Sequence, residues 1–145
     1  MPGFHVIPYN DLEALHEALE DKNVCGFLVE PIQGEAGVVV PTEGYLSTAK
    51  KYCAEANVLF IGDEIQTGLC RTGKMLACDH ENVRPDILIV DEALSTGDAK
   101  FKEKSLNRIK ELRSDDRALI LVSHAMATLE DVCNDVAWLH KGKLV

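Results

Sequence analysis

Four times in this chain an apolar run ends in side chains able to carry a charge or a proton. Glu30 follows Phe27-Leu28-Val29, and Asp63-Glu64 follow Val58-Leu59-Phe60-Ile61-Gly62. Asp91-Glu92 follow Ile87-Leu88-Ile89-Val90, and Ser123-His124 follow Ala118-Leu119-Ile120-Leu121-Val122. Carboxylates on neighbouring strand tips could hold a divalent cation, although without one they would repel each other and raise at least one pKa. Inherited residues facing solvent are the simpler reading of Asp63, Glu64, Asp91 and Glu92, and a satisfied strand-end histidine is the simpler reading of His124.

Two further spacings call for a decision. Gly68-Leu69-Cys70-Arg71-Thr72-Gly73-Lys74 fits the G-x-x-x-x-G-K of a phosphate-cradling loop. Met75 follows it, so the hydroxyl that would hold Mg²⁺ is missing, and the loop does not start directly after its strand. Coincidence is the expectation. Cys70, Cys78 and His80 lie close in sequence but do not have the four tightly spaced ligands of structural zinc. The five cysteines (Cys25, Cys53, Cys70, Cys78 and Cys133) are odd in number and widely spaced, which predicts free thiols rather than a disulfide framework.

The elements that must position these groups follow from periodicity. Asn10 reads as an N-cap to a helix striped by Leu12, Leu15, Ala18 and Leu19. Thr42, with Tyr45, Leu46, Ala49 and Cys53, predicts a capped helix to about Ala56. Val38-Val39-Val40 reads as a short strand, and a short helix is expected near Met75 to His80. Phe101, Leu106, Ile109 and Leu112 form one side of a helix opened by Gly97-Asp98, and Met126, Leu129 and Val132 mark another. Residues 136–145 suggest a terminal β-ribbon, with Trp138 as a packing anchor.

Apolar strands alternating with amphipathic helices predict an α/β fold. The expectation is a single three-layer domain over 1–145, with a mostly parallel sheet of about five strands and helices on both faces. The chemistry-bearing groups then collect at the carboxyl rim, where open parallel sheets bind ligands.

The chain has 145 residues, enough for one domain with a real core. Lys plus Arg number 15 and Asp plus Glu 24, giving a net charge of −9 that opposes binding to nucleic acid or an anionic membrane. No apolar stretch is long enough to span a bilayer. The start, Met1-Pro2-Gly3-Phe4-His5, resembles no signal peptide, which predicts a cytoplasmic protein.

From about Phe4 to Ile89 the chain resembles the class III, pyridoxal-phosphate-dependent aminotransferases, nearest their ornithine branch. The residues carrying this are the run from Val29 to Pro41 (Val-Glu-Pro-Ile-Gln-Gly-Glu-Ala-Gly-Val-Val-Val-Pro) and that from Leu59 to Gly68 (Leu-Phe-Ile-Gly-Asp-Glu-Ile-Gln-Thr-Gly). Arg71-Thr72-Gly73 and Asn82-Val83-Arg84-Pro85-Asp86-Ile87 continue it. The resemblance implies that Asp63 pairs with the cofactor's pyridine nitrogen and that Gln66 lies by its phenolic oxygen. It also implies a Schiff-base lysine where this chain has Glu92, and a carboxylate forms no imine. Gly62 and Cys70 stand where the family commonly has alanine.

From about Asp86 to Val145 the chain instead resembles the end of an ABC-transporter ATP-binding subunit of the polysaccharide or teichoic acid exporter type. Ile87-Leu88-Ile89-Val90-Asp91-Glu92 has the Walker B form, Ala93 to Asp98 looks like a D-loop, and Leu121-Val122-Ser123-His124 looks like the switch-histidine strand. By that resemblance Asp91 would assist Mg²⁺, Glu92 would polarise the attacking water and His124 would contact the γ-phosphate. An LSGGQ-type segment is missing.

Together the two resemblances predict an engineered chimera of fragments 1–86 and 87–145, a folding scaffold that is not an enzyme. Asp63, Gln66, Asp91, Glu92 and His124 would then be vestigial, with no cofactor held. The alternative is a residual Mg-nucleotide-binding module built on Asp91, Glu92 and His124. No partner is required; a homodimer would cover apolar surface left by missing neighbours.

Overall fold

The computed structural model describes residues 3–91, 107, 109–112, 117–141 and 143–144. Helix α1 (Leu12–Ala18) starts on Asp11, whose side chain accepts from the Ala14 N–H at 2.9 Å. The expected cap, Asn10, has a different task. Its φ is 65°, and its side-chain oxygen accepts from the N–H and hydroxyl of Thr42 at 3.0 and 2.9 Å. Thr42 is therefore used in a tertiary tie, and α2 (Tyr45–Ala56) begins instead from Gly44, φ 85°. Asn57, at φ 58°, closes α2 in the left-handed conformation suited to a helix end.

Strands β1 (Gly26–Val29), β2 (Leu59–Asp63), β3 (Ile87–Asp91) and β4 (Ala118–Val122) form one parallel sheet in sequential order. The register sets Leu28 beside Ile61, Ile61 beside Ile87, and Ile87 beside Ala118. A 3₁₀ helix (Ala77–Glu81) takes the place of the short helix expected near Met75. Residues 109–112 are helical, α3 spans Met126–Val132, and Lys110 meets Asp131 at 2.7 Å to tie these two helical stretches together. Strands β5 (Leu139–His140) and β6 (Lys143–Leu144) make the separate antiparallel ribbon. Val38 to Val40 form no strand; Gln33 and Val39 exchange two backbone hydrogen bonds of 3.0 Å in an isolated bridge. The helix expected from Gly97 falls largely outside the described residues.

The α/β class, the parallel sheet and the ribbon stand as expected. The sheet has four strands, and among the described residues the helices gather on one face. Sequential strand order explains this, because right-handed crossovers between successive neighbours all fall on the same side. That side buries Phe60, Leu88 and Val90 against Leu46, Ala49 and Cys53 of α2, with Leu15 of α1 in the same core. Ile109 and Val132 pack with the half-buried Leu119 and Leu121 of β4. Tyr9 and Tyr45 stack edge-to-face at 5.6 Å, as do Phe27 and Phe60 at 5.9 Å. Trp138 is 54% exposed, so it does not anchor a core.

Gly62 acquires a reason here. A Cβ on it would lie 2.9 Å from Cγ of Pro85, a ring atom that cannot swing away. Nothing in the structure explains Cys70, which is exposed with φ 70°. At the amino end of β3, Lys50 binds both oxygens of Asp86 at 2.6 Å, and Asp86 also accepts from the Phe60 N–H at 2.8 Å. Burial pushes the Asp86 carboxyl up, but the lysine and the backbone donor outweigh it and hold it below its ordinary value.

Candidate functional site

Asp63 and Glu64 are adjacent in sequence and opposite in fate, because side chains alternate across a strand. Phe60 and Gly62 face the core, and the same alternation sends Glu64 inward, where it is fully buried. Its carboxyl accepts three donors: the Thr67 hydroxyl at 2.5 Å, the Ala77 N–H at 3.0 Å and the Cys78 N–H at 2.8 Å. Its own N–H donates to the Ile89 carbonyl at 2.9 Å and its carbonyl accepts from Gly68 at 2.8 Å. Glu64 thus bolts the loop after β2 to the 3₁₀ helix and to β3. Burial first, and then the neighbouring Glu64 charge, push the Cys78 thiol far above its ordinary value.

Asp63 is half-buried at the outer side of the same strand tip. One oxygen accepts from the Ile65 N–H at 3.1 Å; among the described residues the other has no partner. Gln66 is exposed one turn further on, and it lies against Gly34 of the loop after β1. A Cβ on Gly34 would sit 3.2 Å from the Gln66 Cγ, so only glycine lets the two loops touch without a shift. Glu30 accepts from the Gly34 N–H at 3.0 Å, and the Tyr9 hydroxyl donates to the carbonyls of Glu30 and Pro31 at 3.2 and 3.1 Å. Burial, with smaller contributions from Tyr45 and Glu30, raises the Tyr9 phenol to about 12, so it stays a donor across the working range. The Arg71 guanidinium donates to the Ile65 carbonyl at 3.0 Å and steadies the loop from outside.

Asp91 ends β3 and is paired in register with Val122. His124 follows two residues later, exposed, so Asp91 and His124 share the rim on neighbouring strands. Glu92 lies outside the described residues. The four-carboxylate cluster loses Glu64 to its core contacts, and among the described residues no group of His, Cys, Asp and Glu could hold a metal.

The glycine-rich loop is a chain of turns. Lys74 donates to the Asp79 carbonyl at 2.8 Å, the Gly73 N–H donates to the Cys70 carbonyl at 3.3 Å, and the His80 ring meets the Thr72 carbonyl and hydroxyl at 3.1 and 3.2 Å. All five cysteines are free. Among the described residues no helix is long and apolar enough to cross a membrane.

The resemblance names Asp63 and Gln66 as site residues, and the structure adds Glu64, Gly34 and Thr67 as the residues that hold their two loops. For Glu64 the signal was present, since it continues the inward parity of Phe60 and Gly62.

The family described as "Aminotransferase class-III" matches residues 2–111. Mitochondrial ornithine aminotransferase of Rattus norvegicus is 65% identical over 97 residues, which is 67% of this chain and 22% of that protein. Ornithine aminotransferase of Vigna aconitifolia is 48% identical over 132 residues, 91% of this chain and 29% of that protein. A crystal structure of the Toxoplasma gondii ornithine aminotransferase superposes with a TM-score of 0.65 at 59% identity, over 68% of this chain and 23% of that one. The chain therefore spans less than a third of the relatives it matches.

Two expectations change. The aminotransferase likeness does not stop near Ile89 but continues to residue 111 in the family match. The expectation that the chain is not an enzyme rested on Glu92 in place of the Schiff-base lysine and on the lack of an intact Walker A or LSGGQ-type segment. It is overturned by residues 2–111 matching a family of enzymes, since membership is carried by a packing pattern over many positions. By that match this chain belongs to the class III aminotransferases.

Proposed function

We propose that the chain forms the ring-binding segment of an ornithine-type aminotransferase site for pyridoxal phosphate. The observation that carries this is the Asp63 carboxyl at the tip of β2, with one oxygen accepting from the Ile65 N–H and, among the described residues, the other without a partner. These residues would suit a charged aromatic ring: Asp63 would receive the pyridine N–H, and Gln66 would donate its amide to the phenolic oxygen. When bound, pyridoxal phosphate supplies a conjugated electron sink for amino-acid chemistry. Asp63 would keep the ring nitrogen protonated, because a carboxylate in contact favours the cationic form. Glu64, Thr67 and Gly34 hold the two loops so that Asp63 and Gln66 keep their spacing. This chain spans 22% of the rat relative and 29% of the Vigna one, and within the span it has Glu92 where the resemblance implies the Schiff-base lysine.

Pyridoxamine phosphate tests the reading without any lysine, since it needs no imine. It should bind this chain, and Asp63→Ala should weaken binding about tenfold or more while leaving the unfolding midpoint unchanged. No binding up to about 1 mM, the weakest affinity worth calling specific, refutes it.

A second reading is supported by the Asp91–Val122 register, which puts Asp91 and His124 on adjacent strand tips. In it, residues 87–145 are an ABC-ATPase-like fragment recombined with 1–86 into one domain, and Asp91, Glu92 and His124 bind Mg-nucleotide. A thermal shift with Mg-ATP, lost in Asp91→Ala and His124→Ala, would favour it; no shift would remove it. The five free thiols suit a reducing compartment such as the cytoplasm.

A further inference from the structure

Ile65 is held at both of its backbone groups. Its N–H donates to Asp63 at 3.1 Å, and its carbonyl accepts from the Arg71 guanidinium at 3.0 Å. The same guanidinium nitrogen lies 3.5 Å from the Gly68 carbonyl. These two carbonyls bracket Gln66, and the Ile65 carbonyl shares a peptide plane with the Gln66 N–H. Fixing that plane fixes the direction in which the Gln66 side chain leaves the backbone. Gln66 itself is exposed, and its contact with Gly34 bounds it from one side.

The chain bends sharply to bring Arg71 there. Leu69 and Cys70 have φ of 57° and 70°, two consecutive side-chain-bearing residues in the left-handed region. That conformation costs each of them free energy that glycine would not lose. The surroundings hold it: Leu69 is buried with Ile109 and Val132, and the Cys70 N–H donates to the Met75 carbonyl at 3.2 Å. Strain kept in place by packing gathers where a side chain must be aimed. The side chain aimed here is Arg71, returned over the turn that the chain has just left.

We propose that Arg71 is a positioning residue, which clamps the turn carrying Gln66 and so holds that amide in place for the phenolic oxygen of the ring. The inference rests on the cofactor reading above. Arg71 acts through the backbone of the turn, by its contacts to the Ile65 and Gly68 carbonyls. An arginine suits this task, because its planar guanidinium presents N–H donors in fixed directions.

Binding of pyridoxamine phosphate to the whole chain, followed by the ligand's absorption, tests it. Arg71→Met keeps the long stem and removes the donors. It should weaken binding about fivefold and move the absorption band of the bound ligand as Gln66→Ala does, with an unfolding midpoint within about 2 °C of the parent. The doubly substituted chain should bind no more weakly than Gln66→Ala alone, since a residue acting through another adds nothing once that other is gone. Arg71→Met binding as tightly as the parent, or a loss that adds in full to that of Gln66→Ala, overturns the proposal. Amide hydrogen exchange supplies a test without ligand. The Ile65 and Gly68 N–H groups, bonded to Asp63 and to the Glu64 carbonyl, should exchange about tenfold faster in Arg71→Met. If the parent chain binds no pyridoxamine phosphate, the cofactor reading fails and exchange alone decides, with unchanged rates overturning the clamp.

Discussion

Replacing Glu64 by alanine should be among the most damaging single changes available in the described part of this protein. The side chain is fully buried and accepts from the Thr67 hydroxyl and from the N–H groups of Ala77 and Cys78. Alanine leaves two backbone donors and a hydroxyl facing an apolar wall. Each orphaned buried donor costs about 1–3 kcal/mol. Part of the cost is recovered if a water enters the space vacated by the Cγ, Cδ and two carboxyl oxygens. The expected loss is about 4 kcal/mol, comparable to breaking other buried polar networks. A domain of this size has about 5–15 kcal/mol in total, so the unfolding midpoint should fall by about 8–16 °C.

Glu64→Gln makes the graded control. Its carbonyl oxygen can keep Ala77 and Thr67, while its amide turns donors toward the Cys78 N–H, for a loss of about 2 kcal/mol. Urea unfolding followed by circular dichroism measures both. A loss under about 1 kcal/mol for alanine would refute the reasoning, because that is the range of ordinary surface changes. The same result for glutamine and alanine would also refute it, since the hydrogen bonds would then not be the cause.

The Asp86 carboxyl is held below its ordinary value of 3.8, despite burial, by Lys50 and the Phe60 N–H. A depressed folded value contributes stability that is present above the unfolded value and lost as pH falls through the folded one. Stability should therefore decline below about pH 4, and Asp86→Asn should flatten that decline; an unchanged acid limb in the variant would dismiss the pair as its source. Thiol labelling should divide the cysteines by burial. Cys25 and Cys70 are exposed and should react within the mixing time, whereas Cys53, pushed up to about 11 by burial, and Cys78, higher still, should wait for unfolding. Rapid modification of Cys78 in the folded protein would contradict its placement beside Glu64.

Much of the architecture was legible because it depends on local pattern. The apolar runs ending at Val29, Gly62, Val90 and Val122 identified four parallel strands, since a strand buried on a helical layer needs few polar residues. Their carboxyl tips placed Asp63, Asp91 and His124 on one rim. Caps were less legible: Asn10 and Thr42 have the right chemistry for helix starts but bind each other, a choice made by contact across 32 residues of sequence. The glycine-rich stretch looked like a phosphate loop by spacing alone, and Lys74 proves to be committed to the Asp79 carbonyl. Glu92 showed the opposite error, where one conspicuous residue outweighed a likeness spread over the whole segment.

The sequence by itself determined the class of the fold, through its apolar runs, and the family, through long specific runs such as Val29 to Pro41. Only the tertiary structure decided which of two adjacent acids faces outward. Strand alternation sends Glu64 into the core to hold the loop and leaves Asp63 with an open oxygen at the rim. It also decided that the described helices share one face. That follows from sequential strand order with right-handed crossovers, a fact about neighbours in space that no local pattern contains.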